Sequence, residues 1–269
     1  MNRLGFIHIP GSAGTSLGFA LAKSMNTSYF PTHRVRKFGE SSEFNPLTLD
    51  LPAVENDLAH QMLLSYPLFC GHLSIGEMQS LYRSCIFTQI GDPRLRLIRL
   101  FRHHAKKDAS FPEWLGKTVS YRSPILTQLL HGIEIPQSGK WEDLHSLGRS
   151  NIFDPVGSTA SSFFDLVSQI LDYAFLTDNP QFCLDILYRD GIIPQHVIVP
   201  HANRVKEIKY FDWGSIDQTM ELLQLVTQND YQVINFLQNF KPLHCNLVMS
   251  TDKEIENLLY DLILAGKDL

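Results

Sequence analysis

The segment Phe6-Ile7-His8-Ile9-Pro10-Gly11-Ser12-Ala13-Gly14-Thr15-Ser16-Leu17 constrains the fold more than any other: an apolar strand breaks at a proline into a small-residue loop and then opens a helix. Such a strand, turn and helix start aim unpaired backbone N–H groups, and the positive end of a helix dipole, at one point where an anion can sit. On this reading Gly11 and Gly14 let the main chain pass close to the anion, and Thr15 and Ser16 add hydroxyl donors. The spacing is not that of a nucleotide triphosphatase, whose loop needs a lysine straight after its second glycine; here Thr15 follows Gly14.

Beyond this turn, strand and helix patterns alternate. Apolar runs predict strands at 4–9, 68–71, 85–90 and 196–199. Helical periodicity predicts a helix at 16–25 capped by Thr15 or Ser16, one beginning at Ile75, and one beginning at Pro93 with Asp92 as N-cap. Further helices are expected at 112–119, 124–131, 161–171, 180–190, 216–228, 230–239 and 252–264. The turn-rich stretch 27–65 reads as a lid excursion over the sheet edge, and 137–158 as a loop. Alternation of this kind implies an α/β domain with a parallel sheet covered on both faces, its ligands at the carboxyl ends of strands. Gly11, His72 and Gly91 fall at such ends. The expectation is one domain over 1–269, with a C-terminal helical extension at 241–269.

His8-Ile9-Pro10-Gly11-Ser12-Ala13-Gly14-Thr15-Ser16 resembles the 5′-phosphosulfate loop of carbohydrate sulfotransferases and their bacterial relatives, close to His-Ile-Pro-Lys-x-x-Gly-Thr-Ser. A second stretch, Ile90-Gly91-Asp92-Pro93-Arg94-Leu95-Arg96-Leu97-Ile98-Arg99, resembles the family's Arg-Asp-Pro-x-x-Arg-x-x-Ser after an apolar strand. The likeness continues at Cys70-Gly71-His72, Ser110-Phe111-Pro112-Glu113-Trp114-Leu115, Phe175-Leu176-Thr177-Asp178, His201-Ala202-Asn203-Arg204 and Asp230-Tyr231, so it runs over residues 4–240.

The resemblance implies a P-loop-type three-layer sandwich and 3′-phosphoadenosine-5′-phosphosulfate (PAPS) as co-substrate. It implies that Pro10, Gly11, Ser12, Ala13, Gly14, Thr15 and Ser16 hold the 5′-phosphate, and that Asp92, Arg96, Arg99 and Arg204 serve the donor site. The acceptor would be a hydroxyl on a glycan or small molecule. Three positions depart from the pattern: Gly11 stands where a lysine reaches the leaving group, and Gly91 and Arg99 stand where an arginine and a serine hold the 3′-phosphate. Two functions therefore stay open, sulfuryl transfer from PAPS, or an impaired homologue that binds a nucleotide or a partner without chemistry. On the same alignment, restoring Gly11→Lys with Gly91→Arg is expected to raise affinity for adenosine 3′,5′-bisphosphate. A divergent P-loop kinase is disfavoured, because no Walker lysine and no clear magnesium carboxylate follow Ser16.

Sulfuryl transfer needs a base on the acceptor hydroxyl and positive charge beside the departing phosphate. His72 is the candidate base, an imidazole titrating near neutrality at a strand end; a core histidine bonded to a backbone carbonyl is the plainer alternative. Arg94 and Arg102 read as a solvated helix face, Lys206 is a further compensating cation, and 33–37 is a basic run in the lid. No histidine spacing suits a metal.

Apolar residues at 44% and charged residues at 19% exclude a disordered chain. A net charge of −5 argues against a general nucleic-acid or anionic-membrane surface, and no long apolar run predicts a membrane span. Cys70, Cys85, Cys183 and Cys245 lack paired spacing and read as reduced thiols. Strand signal from Leu4 leaves no room for a leader, so a cytoplasmic, bacterial-type protein is expected; oligomeric state is unconstrained.

Overall fold

The structure, a computed structural model, describes residues 3–9, 11–27, 30–31, 67–71, 78, 84–104, 109–118, 170–200, 211–238 and 243–267. Its centre is a six-stranded sheet of β1 (Leu4–His8), β2 (Phe30–Pro31), β3 (Leu68–Gly71), β4 (Cys85–Ile90), β5 (Tyr173–Leu176) and β6 (Leu243–Cys245), ordered β2-β3-β1-β4-β5-β6. Every adjacent pair is parallel, with Leu4 of β1 facing Leu68 on one side and Cys85 on the other. All residues of β1, β3 and β4 are buried, which is what strands covered on both faces require and why they read as unbroken apolar runs.

Among the described residues, six helices flank the sheet: α1 (Gly14–Ser24), α2 (Pro93–His104), α3 (Phe111–Thr118), α4 (Pro180–Arg189), α5 (Ile216–Leu237) and α6 (Asp252–Lys267). The side chains alternate as the pleat demands. Leu4, Phe6, Cys70, Phe87 and Phe175 meet Leu17 and Leu21 of α1 and Leu184 and Leu187 of α4 in one core. A second core joins α2, α3, α5 and α6 through Leu97, Phe101, Phe111, Trp213, Leu223 and Ile255, with Phe101 at the middle of an aromatic cluster.

The strand order sets where a ligand can lie. The chain leaves β1 through α1 toward β2 on one side and leaves β4 toward β5 on the other, although β1 and β4 are neighbours. Right-handed crossovers that diverge in this way put α1 and α2 on opposite faces and open a crevice at the carboxyl ends of β1 and β4.

Several elements depart from the expected bounds. The first helix begins at Gly14 rather than 16, and its N-cap is Ala13, with no side-chain cap. The helices expected at 216–228 and 230–239 are one, because Asp230 is a fully buried residue inside α5 and not a cap. Residues 196–199 form no strand: the Gln181 amide donates to the Val197 carbonyl (3.1 Å) and accepts from the Val199 N–H (2.8 Å), taking the place of a neighbouring strand. Two short edge strands, β2 and β6, had no sequence signal, and β6 opens the 241–269 region before α6. The helices expected from Ile75 and at 124–131, and the loop at 137–158, lie outside the described residues, as does most of 27–65 and of the helix expected at 161–171.

Candidate functional site

The turn after β1 is closed by Ser12 N–H donating to the Ile9 carbonyl at 3.2 Å. Gly11 (φ 83°) and Ala13 (φ 56°, ψ 19°) both lie in the left-handed region. For alanine that conformation costs about 1–2 kcal/mol. A left-handed residue followed by a helical one points successive N–H groups into a concavity that suits an anion. No acidic residue sits in the first turn of α1, so the positive helix end is uncompensated by its own side chains. Ser12 is 2% exposed, and its hydroxyl has no hydrogen-bond partner among the described residues. Thr15 and Ser16 are half-buried on the same first turn.

Both glycines leave room for neighbouring side chains. A Cβ on Gly14 would run into the ring of His8, which is buried and stacks on Phe6 at 5.9 Å. A Cβ on Gly11 would stand 2.8 Å from Cγ of Arg96, 2.9 Å from Cγ of Leu100 and 3.0 Å from the Arg96 carbonyl oxygen. Any side chain at position 11 therefore starts into α2. A lysine restored there meets Arg96 and Leu100 at its first carbon.

The turn after β4 is built differently. Asp92 caps α2 as expected, its Oδ1 accepting from the N–H groups of Arg94 (2.8 Å) and Leu95 (3.2 Å), while Oδ2 accepts from the Ser250 N–H at 2.8 Å. Both oxygens of this carboxylate accept from backbone N–H groups and it is fully buried, closed off from solvent. Arg94 is not on a solvated face: it is 6% exposed, and its guanidinium bonds Asp252 and the Ser250 carbonyl and lies over the Tyr231 ring at 5.8 Å.

Arg99 pairs with Asp178, and Asp178 also accepts from the Asp92 N–H at 3.2 Å. A Cβ on Gly91 would stand 2.5 Å from the Asp178 oxygen. The place allotted to an arginine side chain is thus filled by a carboxylate, and Arg99 is engaged with it. Asp178 was outside the expected site set; its signal was a strand end, Phe175-Leu176-Thr177, followed by Asn179 as cap and Pro180 opening α4.

Arg96 is buried, with its stem against Gly11; burial pulls its guanidinium pKa down and the negative charge of Asp230 opposes that. Pro10, His72 and Arg204 lie outside the described residues, so the base and two donor contacts have no structural account. Of the expected residues, the structure brings Gly11, Ser12, Ala13 and Gly14 to one turn, with Thr15 and Ser16 on the helix turn that follows, and packs Arg96 behind them. Asp92 and Arg99 gather separately at the β4 turn.

Two clefts lie elsewhere. One of about 560 Å³ is lined by Arg94, Glu221, Gln228, Tyr231 and Asp252, and one of about 380 Å³ by Cys85, Asp172, Tyr173 and His244 at the amino ends of β4 and β5. The β1 turn is the stronger candidate, because a helix start with no acidic residue in its first turn and a buried hydroxyl without a partner among the described residues call for an anion, and a groove alone does not. In the second cleft the Cys85 thiol is pushed up to about 12 by burial and by Asp172, which makes it inert near neutrality. Among the described residues no cluster of His, Cys, Asp or Glu could hold a metal, and no helix is long and apolar enough to cross a membrane. Comparisons with protein-family models, curated proteins and solved structures give no match.

Proposed function

We propose that this chain is a sulfotransferase-like nucleotide-binding protein that holds a 5′-phosphate at the β1 turn. The observation that carries the reading is the Ser12 hydroxyl, buried without a partner among the described residues and set between two left-handed residues at the start of α1. An unsatisfied buried hydroxyl costs about 1–3 kcal/mol, and a phosphate oxygen in the concavity offers it an acceptor. The sheet supports the same placement, since the β1 turn borders the crevice at the switch in strand order.

The reading is of an impaired homologue. Gly11 leaves no route for a leaving-group lysine, and loss of one preorganised donor costs about 2.7–4 kcal/mol, on the order of a hundred- to a thousandfold in rate. Among the described residues, those of the β1 turn suit the 5′ end of PAPS, whereas Asp178 beside Gly91 opposes its 3′-phosphate.

Thermal unfolding in the presence of adenosine 5′-phosphate, adenosine 3′,5′-bisphosphate and plain adenosine tests the reading, since a ligand bound only by the folded state raises Tm in proportion to RT ln(1 + [L]/Kd). A rise with a phosphorylated ligand and none with adenosine is expected. No rise with either phosphorylated ligand at millimolar concentration overturns it.

A second reading, PAPS-dependent transfer to a hydroxyl of a glycan or small molecule with His72 as base, draws on the buried Arg96 cation against Gly11. It expects hydroxyl-dependent release of adenosine 3′,5′-bisphosphate from PAPS; the first expects none.

A further inference from the structure

We propose that Asp178 makes the crevice selective for a nucleoside 5′-phosphate with free ribose hydroxyls, and against one that carries a 3′-phosphate. The inference rests on the β1 turn as the 5′-phosphate site. Strand order puts β4 between β1 and β5, and with strands about 4.8 Å apart the carboxyl end of β5 stands about 10 Å from the cradle. A nucleotide anchored at the β1 turn and extending across β4 presents its ribose toward Asp178.

The chemistry at that end is acceptor chemistry. Asp178 remains partly exposed, with a quarter of its side chain open to solvent. Arg99 neutralises it from one side and the Asp92 N–H from another, so the carboxylate is held in place with acceptor capacity remaining. An ionised carboxylate accepts hydrogen bonds from hydroxyls and repels a phosphate; dinucleotide sites use the same choice, an acidic residue for a ribose hydroxyl and an arginine for a phosphate. Arg99, exposed on this rim of α2, is engaged by Asp178 and so is not offered to an incoming dianion.

The closing experiment is calorimetric titration of the wild-type chain with adenosine 5′-phosphate, adenosine 3′,5′-bisphosphate and 2′,3′-dideoxyadenosine 5′-phosphate. The 5′-phosphate is expected to bind at least about tenfold more tightly than either of the others, from repulsion in one case and a missing hydroxyl in the other. Asp178→Asn removes the charge and frees Arg99, and is expected to bring the bisphosphate level with the 5′-phosphate or ahead of it. Equal or tighter bisphosphate binding by the wild type overturns the selectivity and leaves the β1 turn standing. Binding of none of the three ligands overturns the β1 turn itself. The wild-type comparison needs no variant to fold; should Asp178→Asn not fold, Arg99→Ala serves in its place and is expected to weaken the bisphosphate further, whereas tighter binding would count against the proposal.

Discussion

The turns after β1 and β4 stand side by side at the carboxyl ends of the two central strands, and each opens a helix, yet they treat their backbone donors in opposite ways. At the β4 turn the donors are taken internally: Asp92 accepts from Arg94 and Leu95, and Asp178 accepts from Asp92. At the β1 turn the cap residue is an alanine with no accepting side chain, and the hydroxyl of Ser12 has no partner among the described residues. Among the described residues, one turn satisfies its groups internally and the other leaves the Ser12 hydroxyl over. A helix start announces an anion site only when the chain has not already supplied the anion from its own carboxylates.

The contrast breaks most visibly at Gly11. Gly11→Lys combines a left-handed residue with a Cβ inside α2, so a loss of about 3–5 kcal/mol in urea unfolding is expected. A stable Gly11→Lys protein with improved nucleotide affinity would mean that the turn is shaped otherwise. Next in size is Asp92→Ala, which strips the cap of α2 and leaves the Ser250 N–H without its acceptor; about 2–3 kcal/mol should be lost. A change below a few tenths would show the β4 turn to be less self-contained than the hydrogen bonds imply.

Ser12→Ala sharpens the comparison because its two effects have opposite signs. Without ligand, removing an unpaired buried hydroxyl should raise stability by up to about 1 kcal/mol, while affinity for a nucleoside 5′-phosphate falls several-fold. Falling stability in the ligand-free variant would show that the hydroxyl has a structural partner after all. Smallest is Arg99→Ala, an exposed partner of Asp178, with a stability change under about 1 kcal/mol by chemical denaturation. A larger loss would make the ion pair a structural brace and not a feature of the rim.

Much of the frame was legible. β3, β4 and the starts of α2, α4 and α6 follow from apolar runs bounded by glycine, proline and capping residues, because those signals are local. What escaped was non-local. Asp230 has the sequence look of a helix cap, and only its burial inside α5, near Arg96, explains an unbroken helix. The arginines of α2 look alike in sequence, yet Arg94 and Arg96 are buried while Arg99 is exposed; the difference comes from Asp252 and Asp230, far along the chain. The strand-loop-helix pattern placed the β1 turn at the carboxyl end of a central strand. The direction of the missing Cβ at Gly11 and Gly91 was invisible, since it depends on what packs opposite each one.

The link from Asp92 and Arg94 to Ser250 and Asp252 reaches the far end of the chain. It makes α6 a latch on the rim beside the crevice, although no part of that helix needs to touch a ligand. A nick or lengthening between β6 and α6 would thus be felt at the start of α2, as faster amide deuteration at 94–95, before the sheet itself gave way.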